Sequence, residues 1–173
     1  MLRAASYPFR AAALLGLAAL ALTGCQRSSE DDMRAVLDGW APLGETLSFT
    51  SQRHCAAGRF ELVDGRIASR MRVAGDAREA AMILRGQGAV AIDDARLTPD
   101  AAIAALIEAD RGAGMAMRMA GLEGRACMDA ETEAAFATAL VAPRAVLMVG
   151  RDQGILALMD VDAGVVVATM GAK

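Results

Sequence analysis

The sequence predicts an α+β fold, with one mainly antiparallel sheet and several helices packed on it. Three observations carry that expectation. The C-terminal part contains three apolar runs, residues 145–149, 155–159 and 165–170, joined by Gly150-Arg-Asp-Gln-Gly154 and Asp160-Val-Asp-Ala-Gly164. The connectors have turn chemistry, and runs this apolar suit strands covered on both faces of a sheet. The middle of the chain carries helix-start signals instead. Helices and strands also come in blocks (helix, strands, helices, strands), which argues against alternating βαβ units.

Taken in order, Ser28 or Ser29 caps a first helix, with Glu30, Asp31 and Asp32 in its electropositive first turn. Met33, Val36, Leu37 and Trp40 follow at the spacing of one helical face, and Pro42 and Gly44 end it. Residues 46–51 alternate, placing Leu47 and Phe49 on one face of a strand. Asp64-Gly65 is a favoured two-residue hairpin turn. That turn would pair Val63 with Arg66, Leu62 with Ile67, Glu61 with Ala68 and Phe60 with Ser69. Phe60, Leu62, Ile67 and Met71 would then share one face, and Arg59, Glu61, Arg66, Arg70 and Arg72 the other.

Asp76 opens a helix through Arg85, broken by Gly86-Gln-Gly88, and residues 89–92 make a short strand. Thr98-Pro99-Asp100 is a helix start (cap, proline, acid), with Ile103, Leu106 and Ile107 as the buried face. Gly112 and Gly114 are expected to interrupt the chain before a weaker helix reaching about Cys127, with Met115, Met119, Leu122 and Ala126 inward. Asp129 caps a last helix with Phe136 and Leu140 inward, stopped by Pro143.

The composition narrows the class. The chain has 173 residues, 55% of them hydrophobic, with a net charge of −3, which excludes a disordered chain. The 17 glycines and 3 cysteines exclude collagen-like and disulfide-dense scaffolds. One domain fits this length. Alanine is abundant, with 40 residues, while aromatics are 3%. Alanine and methionine therefore have to fill a core that other proteins fill with rings.

The N-terminus has the pattern of an export signal. Arg3 and Arg10 precede a run of 12 apolar or small residues, 11–22, which is too short to cross a bilayer. The run ends in Leu22-Thr23-Gly24-Cys25. This tetrapeptide resembles the lipobox of bacterial lipoproteins, in which the Cys thiol receives a diacylglycerol and becomes the acylated N-terminus. The resemblance covers these 25 residues only. It implies removal of residues 1–24, lipidation of Cys25 and a short polar tether, 25–32, before a single α+β domain, 33–173. Several acyl chains would hold the domain stably to a membrane. Gln26, in place of the Asp that favours inner-membrane retention in that family, leans toward the outer membrane, with the domain facing the periplasm.

Removing residues 1–24 leaves 16 basic against 21 acidic side chains, a net charge of about −5. That balance argues against a nucleic-acid partner. It also supplies no polybasic patch for anionic lipid, so the lipid itself must anchor the chain.

Cys55 and Cys127 form an even pair in an exported chain and read as a disulfide closing a loop of about 73 residues, worth roughly 4 kcal/mol. A redox-active or nucleophilic thiol at either position is the alternative. His54, the only histidine, adjoins Cys55, but neighbours in an extended segment point to opposite faces, so the two are poorly placed as a catalytic pair. Met115, Met119 and Met128, beside Cys127, could offer soft ligands to copper, although on a helix Met117 points away from Met115 and core packing is the plainer role. Asp160-x-Asp162-x-Gly164 lacks the later ligands of a calcium loop. Arg59, Arg66, Arg70 and Arg72 on one hairpin face could meet an anionic ligand or an envelope protein. The residues assemble no catalytic set and require no cofactor or metal. The expectation is a non-catalytic binding or accessory module held at the membrane surface.

Overall fold

The structure is a computed structural model and describes residues 28–171. The expected signal peptide and the tetrapeptide Leu22-Thr23-Gly24-Cys25 lie outside the described residues. In chain order the elements are α1 (Glu30–Leu37), β1 (Leu43–Ser51), β2 (Ala56–Leu62), β3 (Val73–Ala74), α2 (Ala77–Gln87), β4 (Ala89–Ile92), α3 (Pro99–Ala109) and α4 (Arg111–Gly124). A 3₁₀ turn (Arg125–Cys127), α5 (Ala130–Val141), β5 (Val146–Gly150), β6 (Ile155–Asp160) and β7 (Val165–Met170) follow. The seven strands form one sheet in the order β1-β2-β7-β6-β5-β4-β3. Every pairing is antiparallel except β3 with β4. The α+β class read from the sequence is the class observed.

The C-terminal meander occupies the centre of this sheet. Gly154 and Gly164, at the two turns, have φ of 60° and 67°, a left-handed geometry that glycine adopts without steric cost. Alternate side chains then serve two cores. Leu147, Val149, Leu156, Leu158 and Val167 face a layer built from α2, α3, α4 and α5. Val146, Met148, Ile155, Met159 and Val166 face the opposite layer, where Met33 and Leu37 of α1 and Trp40 cover them. The low aromatic content is offset as the sequence suggests. Met33, Met71, Met148 and Met159 are buried beside Phe60 and Trp40, with Ala41, Ala56, Ala91, Ala157 and Ala168 between them.

The expected caps are present. Ser29 and Asp32 form a reciprocal capping box, with the Asp32 N–H donating to Ser29 Oγ at 3.1 Å and the Ser29 N–H to Asp32 Oδ2 at 3.0 Å. Asp76, Thr98 and Asp129 likewise accept from the first-turn N–H groups of α2, α3 and α5.

The hairpin expected at Asp64-Gly65 does not form. Asp64 does make a local turn, its Oδ1 accepting from the Arg66 N–H at 3.0 Å. But both edges of β2 are already occupied, one by β1 and the other by β7. A strand has two edges, so residues 66–72 have no partner to pair with. The chain instead crosses under the sheet as a strap. The Ala68 N–H donates to the Trp40 carbonyl, and the Arg72 carbonyl accepts from the Ala91 N–H at the far side. Ile67 and Met71 still reach the core assigned to them, but from a crossing segment rather than a strand.

The alternation expected in β1 is also corrected. Its register with β2 shifts between Thr46 and Ser48, and Leu47 is left 47% exposed. Phe49 packs toward α1 while Leu47 does not, because a bulged residue steps out of the two-residue period.

Cys55 and Cys127 are joined as a disulfide with Cα atoms 6.0 Å apart. The bridge ties the β1–β2 turn to the 3₁₀ turn after α4. Among the described residues, no helix is long and apolar enough to cross a membrane.

Candidate functional site

Helix α4 was expected to start after a glycine interruption and to bury Met115, Met119 and Leu122. It does neither. Asp110, which ends α3, also caps α4, accepting from the Ala113 N–H at 3.1 Å, and the helix runs from Arg111 through both Gly112 and Gly114. Its buried residues are Gly114, Met117, Ala120, Gly121 and Gly124, while Met115, Met119 and Leu122 stand 41–53% exposed. The inversion has a steric cause. A Cβ at Gly114 would lie 2.5 Å from the backbone nitrogen of Ile107, and one at Gly124 would lie 2.4 Å from Cβ of Thr169. The missing side chains let α4 approach α3 at one end and β7 at the other. The face that packs is the face with the least side chain.

Gly121 lies on the same side between these two close contacts, but its surroundings differ. A Cβ there would meet the Phe136 ring at 3.5 Å and Leu156 at 4.0 Å, which are ordinary contact distances. Beyond it lies a cavity of about 280 Å³. Ile103 and Ile107 of α3, Met117 of α4 and Phe136 and Leu140 of α5 form its apolar walls, with Leu156 of β6 among the lining residues. Charged residues also line it: Asp100 at the start of α3, Arg118 on α4 and Arg125 in the 3₁₀ turn. Arg125 is bound to Glu133 of α5 through Nε at 3.1 Å and through a second, shorter contact. Arg118 has no ion-pair partner among the described residues. A pocket with apolar walls and a few polar groups is the usual form of a small-molecule site, and this one is at the small end of that range.

The residues singled out from the sequence fall elsewhere. The four arginines do not share a face. Arg59 is on the side of β2 toward α5 and pairs with Glu131 at 2.6 Å. Arg66 pairs with Asp64 at 2.7 Å, and Arg66, Arg70 and Arg72 lie exposed on the strap across the sheet's other face. Without the hairpin, Arg59 is separated from Arg66, Arg70 and Arg72, so the four do not form the single anion-binding face expected of them. Cys55 and Cys127 are bonded to each other, and His54 lies exposed in the β1–β2 turn. Met115 and Met119 are neither core residues nor gathered with Met128, which packs against the Cys55–Cys127 bridge beyond the end of α4. Met117, the one turned away, is the buried member. Asp160 accepts from the N–H groups of Asp162 and Ala163 at 3.1 and 3.0 Å, so its carboxylate closes a turn. Among the described residues, no group of three or more His, Cys, Asp or Glu side chains is placed to hold a metal ion.

One polar cluster could suggest catalysis. The Ser48 hydroxyl donates to Asp129, next to the Arg59–Glu131 pair. The Ser48 hydrogen bond, followed by the Thr132 backbone N–H, holds the Asp129 carboxyl down at about 2. Such a carboxylate is a weak base, poorly matched to the near-neutral pKa of an effective general base. The cluster instead fixes β1 to the start of α5. A second recess, about 510 Å³ between α2 and α3, is lined by Asp76, Arg78, Glu108 and an Arg96 that forks onto both Asp94 oxygens at 2.8 Å.

A pocket between three helices leaves no single residue in the sequence to mark it. The available signal was the spacing of Gly114, Gly121 and Gly124, which fall within about 80° on an α-helix. Comparison with family models, curated proteins and solved structures found no match to this chain.

Proposed function

We propose that this chain is an exported bacterial lipoprotein whose domain is a non-catalytic binding module of the cell envelope. In this reading residues 1–24 are removed, Cys25 carries the lipid, and the domain faces the periplasm from the outer rather than the inner membrane. The basic start, the 12-residue apolar core and Leu22-Thr23-Gly24-Cys25 support the anchor. The binding role rests on one observation, the cavity beside Gly121. Glycine inside a helix costs roughly 0.5–1 kcal/mol relative to alanine. At Gly114 and Gly124 that cost is offset by close packing, but at Gly121 an alanine would fit. A stability cost without a packing return supports a site kept open for a ligand.

Two measurements test the two halves of this reading. The intact mass of the mature protein should show acyl chains on Cys25, and an unmodified Cys25 refutes the anchor. Decanol, an uncharged apolar probe, should raise the unfolding midpoint of the wild type by mass action. The same probe should leave Gly121→Met unmoved, because an unbranched side chain fills irregular space. An equal response from both proteins refutes the site.

A further inference from the structure

Resting on that reading, we infer that the cavity takes the hydrocarbon chain of a single-chain amphiphile with an anionic head group, the head lying against Arg118. The volume sets the chain. A methylene fills about as much space as a water in the liquid, roughly 30 Å³, so 280 Å³ holds about nine carbons. The walls fit hydrocarbon. Ile103, Met117, Phe136 and Leu156 offer a hydrocarbon surface, and the polar part of the lining comes from Asp100, Arg118 and Arg125. The charges set the head. Arg125 is already committed to Glu133, whereas Arg118 lines the same cavity with no ion-pair partner among the described residues. Its guanidinium fork matches a carboxylate or phosphate with two parallel hydrogen bonds. Asp100, the acid that lines the cavity with these arginines, disfavours a second negative charge on its side and so directs the head toward α4.

The test uses the full chain as its host processes it, held in phosphatidylcholine nanodiscs, with labelled methionine methyls. Met117 lines the cavity and reports its occupancy directly. Decanoate, decyl phosphate, decanol and decyltrimethylammonium are titrated in turn, against empty nanodiscs as the partition baseline. Decanoate and decyl phosphate should shift the Met117 methyl at about fivefold lower free concentration than decanol, with the cation weakest. Each carbon removed from the chain should weaken binding about fourfold. Arg118→Gln should erase the advantage of the anions and leave decanol unchanged. The tighter of the two anions identifies the source, a free fatty carboxylate or a phospholipid-derived head. If decanol binds as well as decanoate, or Arg118→Gln leaves the anion advantage intact, the head-group inference fails while the cavity reading stands. If none of the four probes shifts Met117, both fail.

Discussion

The β5–β7 meander and helix α4 lie against each other in the same core and are built on opposite rules. In the three strands of the meander every side chain but the half-buried Val165 is buried, both faces are covered, and glycine appears only where strands end or turn. In α4, three glycines share the packed face with Met117 and Ala120, the side chains of Met115, Met119 and Leu122 face solvent, and a half-open pocket lies beside Gly121. The meander holds itself in place through burial. Helix α4 buries Met117 and Ala120 in the core and is pinned further at its ends: Asp110 at the start, the close approach to Ile107, the contact with Thr169 and the disulfide three residues past its end. An element pinned at its ends can leave its middle open, and that is where a ligand site can exist without unfolding the domain.

The largest expected effect is in the meander. Leu158 is fully buried against the helical layer, and Leu158→Ala should cost about 2–5 kcal/mol in denaturant unfolding. Replacing Cys55 and Cys127 with alanine should cost about 2–4 kcal/mol and, in hydrogen exchange, should loosen residues 121–127 before the meander. If the meander opens first, the end-pinned description of α4 is wrong. Gly114→Ala follows. The helix gains propensity, but the new methyl meets the Ile107 backbone, which cannot rotate away. A net loss of about 1–3 kcal/mol is expected, opposite in sign to an ordinary exposed Gly→Ala change.

The smallest effect is with pH. The Ala113 N–H at its carboxylate, aided by Arg85, lowers the Asp110 pKa below the unfolded value of 3.8. A depressed carboxylate contributes stability that is fully present above 3.8 and is lost as pH falls through its lower folded value. Amide exchange in the first turn of α4 should therefore quicken relative to the meander as pH falls below 3.8, and Asp110→Asn should remove that dependence.

The same contrast explains what could be read from the sequence. Signals that depend on neighbours in the chain were legible: the caps at Ser29, Asp76, Thr98 and Asp129, the turns around Gly154 and Gly164, and the apolar runs of the meander. Cysteine parity in a chain expected to be exported favoured the Cys55–Cys127 bridge over a reactive thiol, and the two are joined. Signals that depend on partners far along the chain were not legible. Asp64-Gly65 is a sound turn sequence, yet β1 and β7 took both edges of β2. Apolar periodicity points to the wrong face of α4 because it assumes that the larger side chains lie inward. Where two backbones touch, glycine marks the inside and Met115 and Met119 are left outside. Without the hairpin, Arg59 parts from Arg66, Arg70 and Arg72, which stay exposed on the strap.

The central claim is that Gly121 trades stability for an open site. Its most direct test is the unfolding free energy of Gly121→Met, measured with and without decanol. The account predicts a more stable protein in the absence of probe, from regained helix propensity and a filled void, and no further stabilisation when decanol is added. A variant that is less stable than the wild type, or that still responds to decanol as the wild type does, would contradict it.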